Sequence, residues 1–209
     1  MFASRLSFLL LCFSLVFLSF QSEAQKQKKK NDGSEIQAQN LFPKVKLETS
    51  MGDIIIELDR NKAPITSNNF LRYVSKYNYD GTIFHRIIND FVVQGGGYDV
   101  EMKKKPVLGK IFNESGNGLK NVLYTVAMAR ERDPHSADRQ FYFNMNKNTT
   151  LDPGRQGWGY TVFGTVSAGY EVLDAMAAVE TDIDEGTGWD DVPLEPVVLR
   201  KATILPQEF

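Results

Sequence analysis

Phe84-His85-Arg86-Ile87-Ile88-Asn89-Asp90-Phe91-Val92-Val93-Gln94-Gly95-Gly96-Gly97 is the stretch on which the reading of this chain turns. Two short apolar runs flank Asn89-Asp90, a pair of residue types that bond their own backbone and so make turns. The runs therefore read as two strands of a hairpin. Side chains alternate between the faces of a strand, which predicts Phe84, Arg86 and Ile88 on one side. An arginine set between apolar neighbours is unusual, because arginine is seldom fully buried unless paired. The glycines that follow let backbones approach closely.

Upstream, residues 46–49 and 53–59 predict a hairpin across Ser50-Met51-Gly52, with Ile54, Ile56 and Leu58 on one face and Asp53 and Glu57 on the other. Pro64 suits the first turn of a helix, where its missing N–H would be unpaired anyway. Phe70 and Val74 then fall one turn apart on its buried side. Downstream, residues 170–178 predict a second helix with Val172, Leu173 and Met176 as its apolar stripe, and residues 196–205 a closing strand. Many short strands with two helices favour an antiparallel barrel over alternating strand–helix units.

Residues 1–24 read as a secretory signal peptide. Arg5 gives a positive start, a mostly apolar run without charge follows, and Ser22-Glu23-Ala24 offers small residues for cleavage. The run is short for a membrane span, which takes roughly 20 apolar residues; Cys12, the one cysteine, lies inside it. The mature chain is thus free of cysteine and relies on packing alone, which a domain of this size supports. Residues 25–42 read as a polar disordered linker containing Lys28-Lys29-Lys30, and residues 43–209 as one folded domain. The 24 basic and 26 acidic residues each lose one with the leader, so the net charge stays at -2 and nothing recruits nucleic acid.

The opening stretch has company in order and spacing: Ala63-Pro64-Ile65-Thr66, Asn69-Phe70-Leu71-Arg72-Tyr73-Val74, Tyr79-Asp80-Gly81-Thr82-Ile83, Val126-Ala127-Met128-Ala129-Arg130, Arg139-Gln140-Phe141-Tyr142-Phe143-Asn144, Leu151-Asp152 and Gly159-Tyr160-Thr161-Val162-Phe163-Gly164. Together these resemble the cyclophilins, peptidyl-prolyl cis-trans isomerases, and among them the bacterial secreted or periplasmic members. The resemblance runs from about residue 45 to about residue 205. It implies a mainly β fold, a closed eight-stranded antiparallel barrel capped by two helices. A barrel of that size fills its interior with side chains, so the working groove is expected on its outer wall.

The implied reaction is rotation about X-Pro bonds. Amide rotation costs about 18–20 kcal/mol because twisting destroys C–N resonance. As the bond twists, the proline nitrogen regains a lone pair, and a donor beside it binds the transition state better than the ground state. The resemblance assigns Arg86, Gln94 and Phe91 to catalysis, Arg86 as the permanently charged fork and Gln94 as the residue that holds it. It assigns Val92, Ala129, Arg130, Gln140, Tyr142, Leu151 and Tyr160 to substrate binding. Strand parity agrees: Gln140 and Tyr142 share a face, while Phe141 and Phe143 point to the core. Five positions depart from the commonest pattern: Asn89-Asp90 for Pro-Gly, Val92 for methionine, Tyr142 for phenylalanine, and Thr150 for an aromatic residue. Tyr160 in place of histidine matches the bacterial secreted members.

No cofactor or metal is expected. His85 and His135 lack the paired spacing of a zinc site, and His85 reads as a satisfied core histidine facing away from Arg86. The Gly95-Gly96-Gly97 run lacks the lysine of a phosphate loop, and the acidic residues around Asp184 lack calcium-loop spacing. The expected partners are proline-containing polypeptides and folding clients of a periplasmic or secreted monomer, with no stable membrane insertion once the leader is cleaved. A non-catalytic chaperone-like module binding the same segments is the competing expectation, and a scaffold tethered by its leader a third.

Overall fold

The computed structural model describes residues 32–155 and 157–207; the expected signal peptide lies outside them. Along the chain run β1 (Lys44–Thr49), β2 (Gly52–Leu58), α1 (Pro64–Ser75), β3 (Thr82–Ile83), β4 (Arg86–Ile88), β5 (Val92–Gly95), β6 (Thr125–Met128), β7 (Phe141–Asn144), β8 (Val162–Ala168), α2 (Tyr170–Ala177), β9 (Thr181–Asp182), β10 (Val192–Pro193) and β11 (Val198–Ile204). The expected strands and helices recur with ends moved by a residue or two.

Among the described residues, nine strands make one antiparallel sheet in the order β3-β11-β1-β2-β8-β6-β7-β5-β4, and β9 pairs with β10 apart from it. This differs from the expected closed eight-stranded barrel: the order has two ends, β3 and β4. Only Phe84 and His85 separate those end strands, so the sheet must curl to bring its edges together, and the Gly96 N–H donates to the Ile83 carbonyl across the gap. Strands too short to carry a ladder leave this corner to loop hydrogen bonds instead.

The inside of the curl is aromatic. Phe141 meets Phe70, Tyr79, Phe84 and Phe143 with ring planes near perpendicular in each case, the edge-to-face arrangement that aromatic quadrupoles favour. α1 lays Phe70, Leu71, Tyr73 and Val74 on this core, and α2 adds Leu173, Met176 and Ala177. Phe84 and Ile87 both belong to the core, which corrects the expected grouping of Phe84 with Arg86. Alternation does not carry across Phe84-His85, because those two residues form the corner between strands and not a strand.

Two arginines knit loops to this frame. Arg60 donates to Asn68 Oδ1 and to the carbonyls of Gly33, Ile36, Gln37 and Asn40. The polar stretch expected as spacer through residue 42 is therefore folded onto the domain over residues 33–40; residues 25–31 lie outside the described residues. Four carbonyls converging on one guanidinium decide this, a pattern of backbone groups that composition cannot reveal. Arg139 is 1% exposed and bonds the carbonyls of Gly96, Pro106 and Asn78. Its guanidinium lies 5.3 Å from the Tyr73 ring centre and 5.7 Å from that of Tyr79, so cation–π attraction offsets part of its desolvation.

Candidate active site

A single row of side chains crosses the outer wall of the sheet. Arg86 on β4 pairs with Gln94 on β5, Gln94 with Tyr142 on β7, Tyr142 with Ala127 on β6, and Ala127 with Val162 on β8. Directly paired residues share a face, so a charged donor at one end of the row leads to apolar groups at the other. Val92, Ala127, Tyr142 and Val162 form a buried cluster separate from the core, with Phe91, Leu119, Ala129, Leu151 and Tyr160 packed against it. Phe141 and Phe143 point the other way, into the core, as the parity of β7 predicts.

The β4–β5 turn builds this row. Phe91 N–H donates to the Ile88 carbonyl, 3.1 Å, and Asp90 N–H to Asn89 Oδ1, 2.9 Å. Asp90 takes φ 56°, a left-handed conformation that aspartate accepts better than most residues. At the far end of β5 the glycines make room: a Cβ on Gly95 would fall 2.6 Å from the Phe84 ring, and one on Gly97 2.7 Å from Gln140. Gln140 thereby reaches Gln94, whose Nε2 donates to Gln140 Oε1 at 3.1 Å.

Arg86 is held from an unexpected quarter. Its Nε lies 3.5 Å from Asp191 Oδ2, while Gln94, expected to hold it, is engaged with Gln140. Asp191 has φ 63°, and its carbonyl accepts the Ile87 N–H at 2.9 Å, so its carboxylate is fixed beside β4. Pairing through Nε leaves the two terminal nitrogens of the guanidinium to a substrate. Arg130, expected at the substrate, braces the opposite side: it donates to the carbonyls of Trp158 and Gly159 and lies 4.5 Å over the Tyr160 ring centre.

Under the apolar cluster runs a polar layer that the sequence did not advertise. The Tyr142 hydroxyl donates to Asn121 Oδ1 at 2.8 Å, Asn144 Nδ2 donates to the same oxygen, and Asn121 N–H and Nδ2 both donate to Asp152 Oδ1. Desolvation raises the Tyr142 pKa well above its ordinary value, so the group stays a neutral donor. Tyr142→Phe is expected to cost about 1 kcal/mol, one neutral hydrogen bond, with turnover nearly unchanged. Urea denaturation beside a peptide exchange assay checks this; unchanged stability with a large loss of turnover would place the hydroxyl in the groove.

His85 corrects another expectation. It is 5% exposed, but its Nδ1 has no hydrogen-bond partner, and it lines the same cavity as Arg86 where the opposite face was expected. The corner at Phe84-His85 turns it there. Burial, with the Arg86 charge as a smaller contribution, pushes its pKa down to about 4. The folded value lies below the ordinary one of about 6.5, so as pH falls the unfolded chain takes the proton first. The neutral ring's contribution is whole above about pH 6.5 and is lost as pH falls toward 4. It amounts to at most about 3 kcal/mol. Stability measured from pH 7 to pH 5 should fall more steeply in the wild type than in His85→Gln; equal slopes would show a normally titrating histidine.

The row and its cluster bring together Arg86, Gln94, Gln140, Phe91, Val92, Ala129, Tyr142, Leu151 and Tyr160 from across the chain. Ala127, Leu119 and Val162 were missed, although the parity of β6 and β8 could have pointed to two of them. Asp191 was missed because no local pattern links it to Arg86.

Comparison with known proteins agrees with this geometry. The sequence profile of the family described as "Cyclophilin type peptidyl-prolyl cis-trans isomerase/CLD" matches residues 44–204. A peptidyl-prolyl cis-trans isomerase of Streptomyces antibioticus is 50% identical over 164 residues, covering 77% of this chain and 98% of that protein. Peptidyl-prolyl cis-trans isomerase B of Escherichia coli is 44% identical over 163 residues, covering 77% and 98%. A Cryptosporidium parvum cyclophilin type isomerase, crystallised in the presence of the dipeptide Ala-Pro, superposes with a TM-score of 0.63 at 23% identity, over 78% of this chain and 99% of that one. The chain belongs to the cyclophilin type peptidyl-prolyl cis-trans isomerase family.

Proposed function

We propose that the row from Arg86 to Val162 is a groove that accelerates rotation about X-Pro bonds in polypeptides. The observation that carries this is the juxtaposition of a permanently charged donor, held through Nε by Asp191, with an apolar cluster outside the core. In this reading the pyrrolidine ring seats against Phe91, Val92, Tyr142 and Leu151, with Tyr160 and Ala129 at the margin. The free ends of the Arg86 guanidinium meet the proline nitrogen as its lone pair returns. Gln94 and Gln140, bonded to each other, present amides to the substrate backbone. Neither a nucleophile nor a proton relay is required, because no covalent bond is made or broken; the barrier falls through transition-state binding alone.

NMR exchange spectroscopy on a peptide with one alanine-proline bond tests the reading. Catalytic amounts of protein should bring cis and trans signals into exchange that otherwise takes tens to hundreds of seconds. Binding without acceleration would leave only a proline-binding module.

The leader pattern supports a second proposal: residues 1–24 are cleaved, residues 25–31 begin the mature chain, and the enzyme works on exported proteins in the periplasm or outside the cell. N-terminal sequencing of protein from the native host should begin at Gln25. Finding Met1 on membrane-bound protein would overturn this.

A further inference from the structure

We propose that the cavity Arg86 shares with residues 188–191 is a subsite for a lysine or arginine side chain of the bound polypeptide; this rests on the isomerase reading of the groove. The cavity has a volume of about 430 Å³, within the range of ligand pockets, and none of its walls belongs to the proline cluster. His85, Arg86, Gln94, Tyr98 and Gln140 line it together with residues 188–191. Because Arg86 is part of both the cavity and the catalytic row, a peptide seated at the proline cluster passes the cavity mouth with one of its neighbouring residues.

The chemistry of the walls favours a cation. Arg86 is the one fixed positive charge among the lining residues, and Asp191 already matches it at 3.5 Å. Asp190 is exposed and has no ion pair among the described residues, which leaves the cavity with an uncompensated negative charge. The loop leading to Trp189 is acidic as well, with Asp182, Asp184 and Glu185, while Lys104, bridged to Tyr98, lines the adjoining cavity and not this one. Trp189 and Tyr98 stand with ring centres 4.9 Å apart, and aromatic faces attract ammonium and guanidinium groups, tryptophan most strongly. His85 adds an independent sign of a missing ligand, a side chain 5% exposed whose Nδ1 has no partner. A neutral imidazole carries one acceptor nitrogen beside its one N–H, so the ring can accept from a cationic donor.

The subsite is also built in advance. Asp184 Oδ2 accepts from the Thr187 N–H and hydroxyl, both at 2.7 Å. The Asp184 carbonyl accepts from Gly188 N–H, and Asp184 N–H donates to the Trp189 carbonyl. This closed loop sets Trp189 against Tyr98 before any peptide arrives, which spares the ordering cost of binding.

A series of peptides with one alanine-proline bond, carrying lysine, norleucine or glutamate at each of the three positions on either side, distinguishes the possibilities by NMR exchange. At one position the lysine peptide is expected to show kcat/KM about fivefold above norleucine, the scale of an exposed ion pair with cation–π support, with glutamate lowest. The preference should shrink in high salt and vanish in Asp190→Asn, with norleucine turnover unchanged. Trp189→Leu should lower it as well. Absence of a lysine preference at every position, or its survival in Asp190→Asn, overturns the subsite. Norleucine turnover separates the two readings: if it persists, the subsite alone has failed; if the wild type turns over none of the peptides, the isomerase reading falls and the subsite with it.

Discussion

Arg86→Ala is expected to lower kcat/KM on an alanine-proline peptide by about 10² to 10³, the usual consequence of deleting one preorganised transition-state donor. The fold should survive, since the Arg86 side chain is 38% exposed and its partner Asp191 36%; an ion pair that wet contributes little to stability. Arg86→Lys should recover only a small part of the loss. Lysine keeps the charge but not the planar fork, and the present geometry uses Nε for Asp191 while leaving the terminal nitrogens free. Exchange spectroscopy on both variants, with circular dichroism to establish folding, checks this. A folded Arg86→Ala protein with near-full turnover would remove Arg86 from the chemistry and leave the apolar cluster as the main source of rate.

Arg139→Met should be the most destabilising single change in the groove region, at about 4 kcal/mol. The guanidinium donates to three backbone carbonyls, each charge-assisted bond contributing about 1.5–3 kcal/mol, with part recovered by water and by methionine packing. For a chain of this length, that corresponds to a melting temperature lower by about 10 °C. Arg139→Lys, a point donor that reaches fewer of the carbonyls, should fall between the two. The effect reaches the groove because Gly96 and residues 139–140 join at this arginine, and Gln140 sits beside Gly97. Thermal melts of the three proteins test it. A melting point for Arg139→Met equal to the wild type would mean that the carbonyls find equivalent partners without the guanidinium.

Much of the architecture was legible because its causes are local. Ile54, Ile56 and Leu58 alternate, and β2 buries all three; Pro64 opens α1 as its missing N–H allows; Asn89-Asp90 turns the hairpin through its own side chains. The row on the outer wall was legible too, since Gln140 and Tyr142 share a face by parity and their motifs occur in a known order. Alternation failed at Phe84-His85, where two residues bridge the ends of a nine-stranded sheet and strand rules do not apply.

What the sequence by itself determined, then, is the list of elements, the family, and the side chains on the outer wall, all of which follow from the period of a strand, the chemistry of turns and the order of motifs. Only the tertiary structure decided which partner each charge has. Asp191 reaches Arg86, Arg60 gathers residues 33–40, and Arg139 ties three loops. Curling the sheet sets those groups side by side although they are far apart along the chain. A guanidinium taken from water must then find whatever oxygens the curl brings within reach, backbone carbonyls included, and backbone carbonyls leave no mark in a sequence.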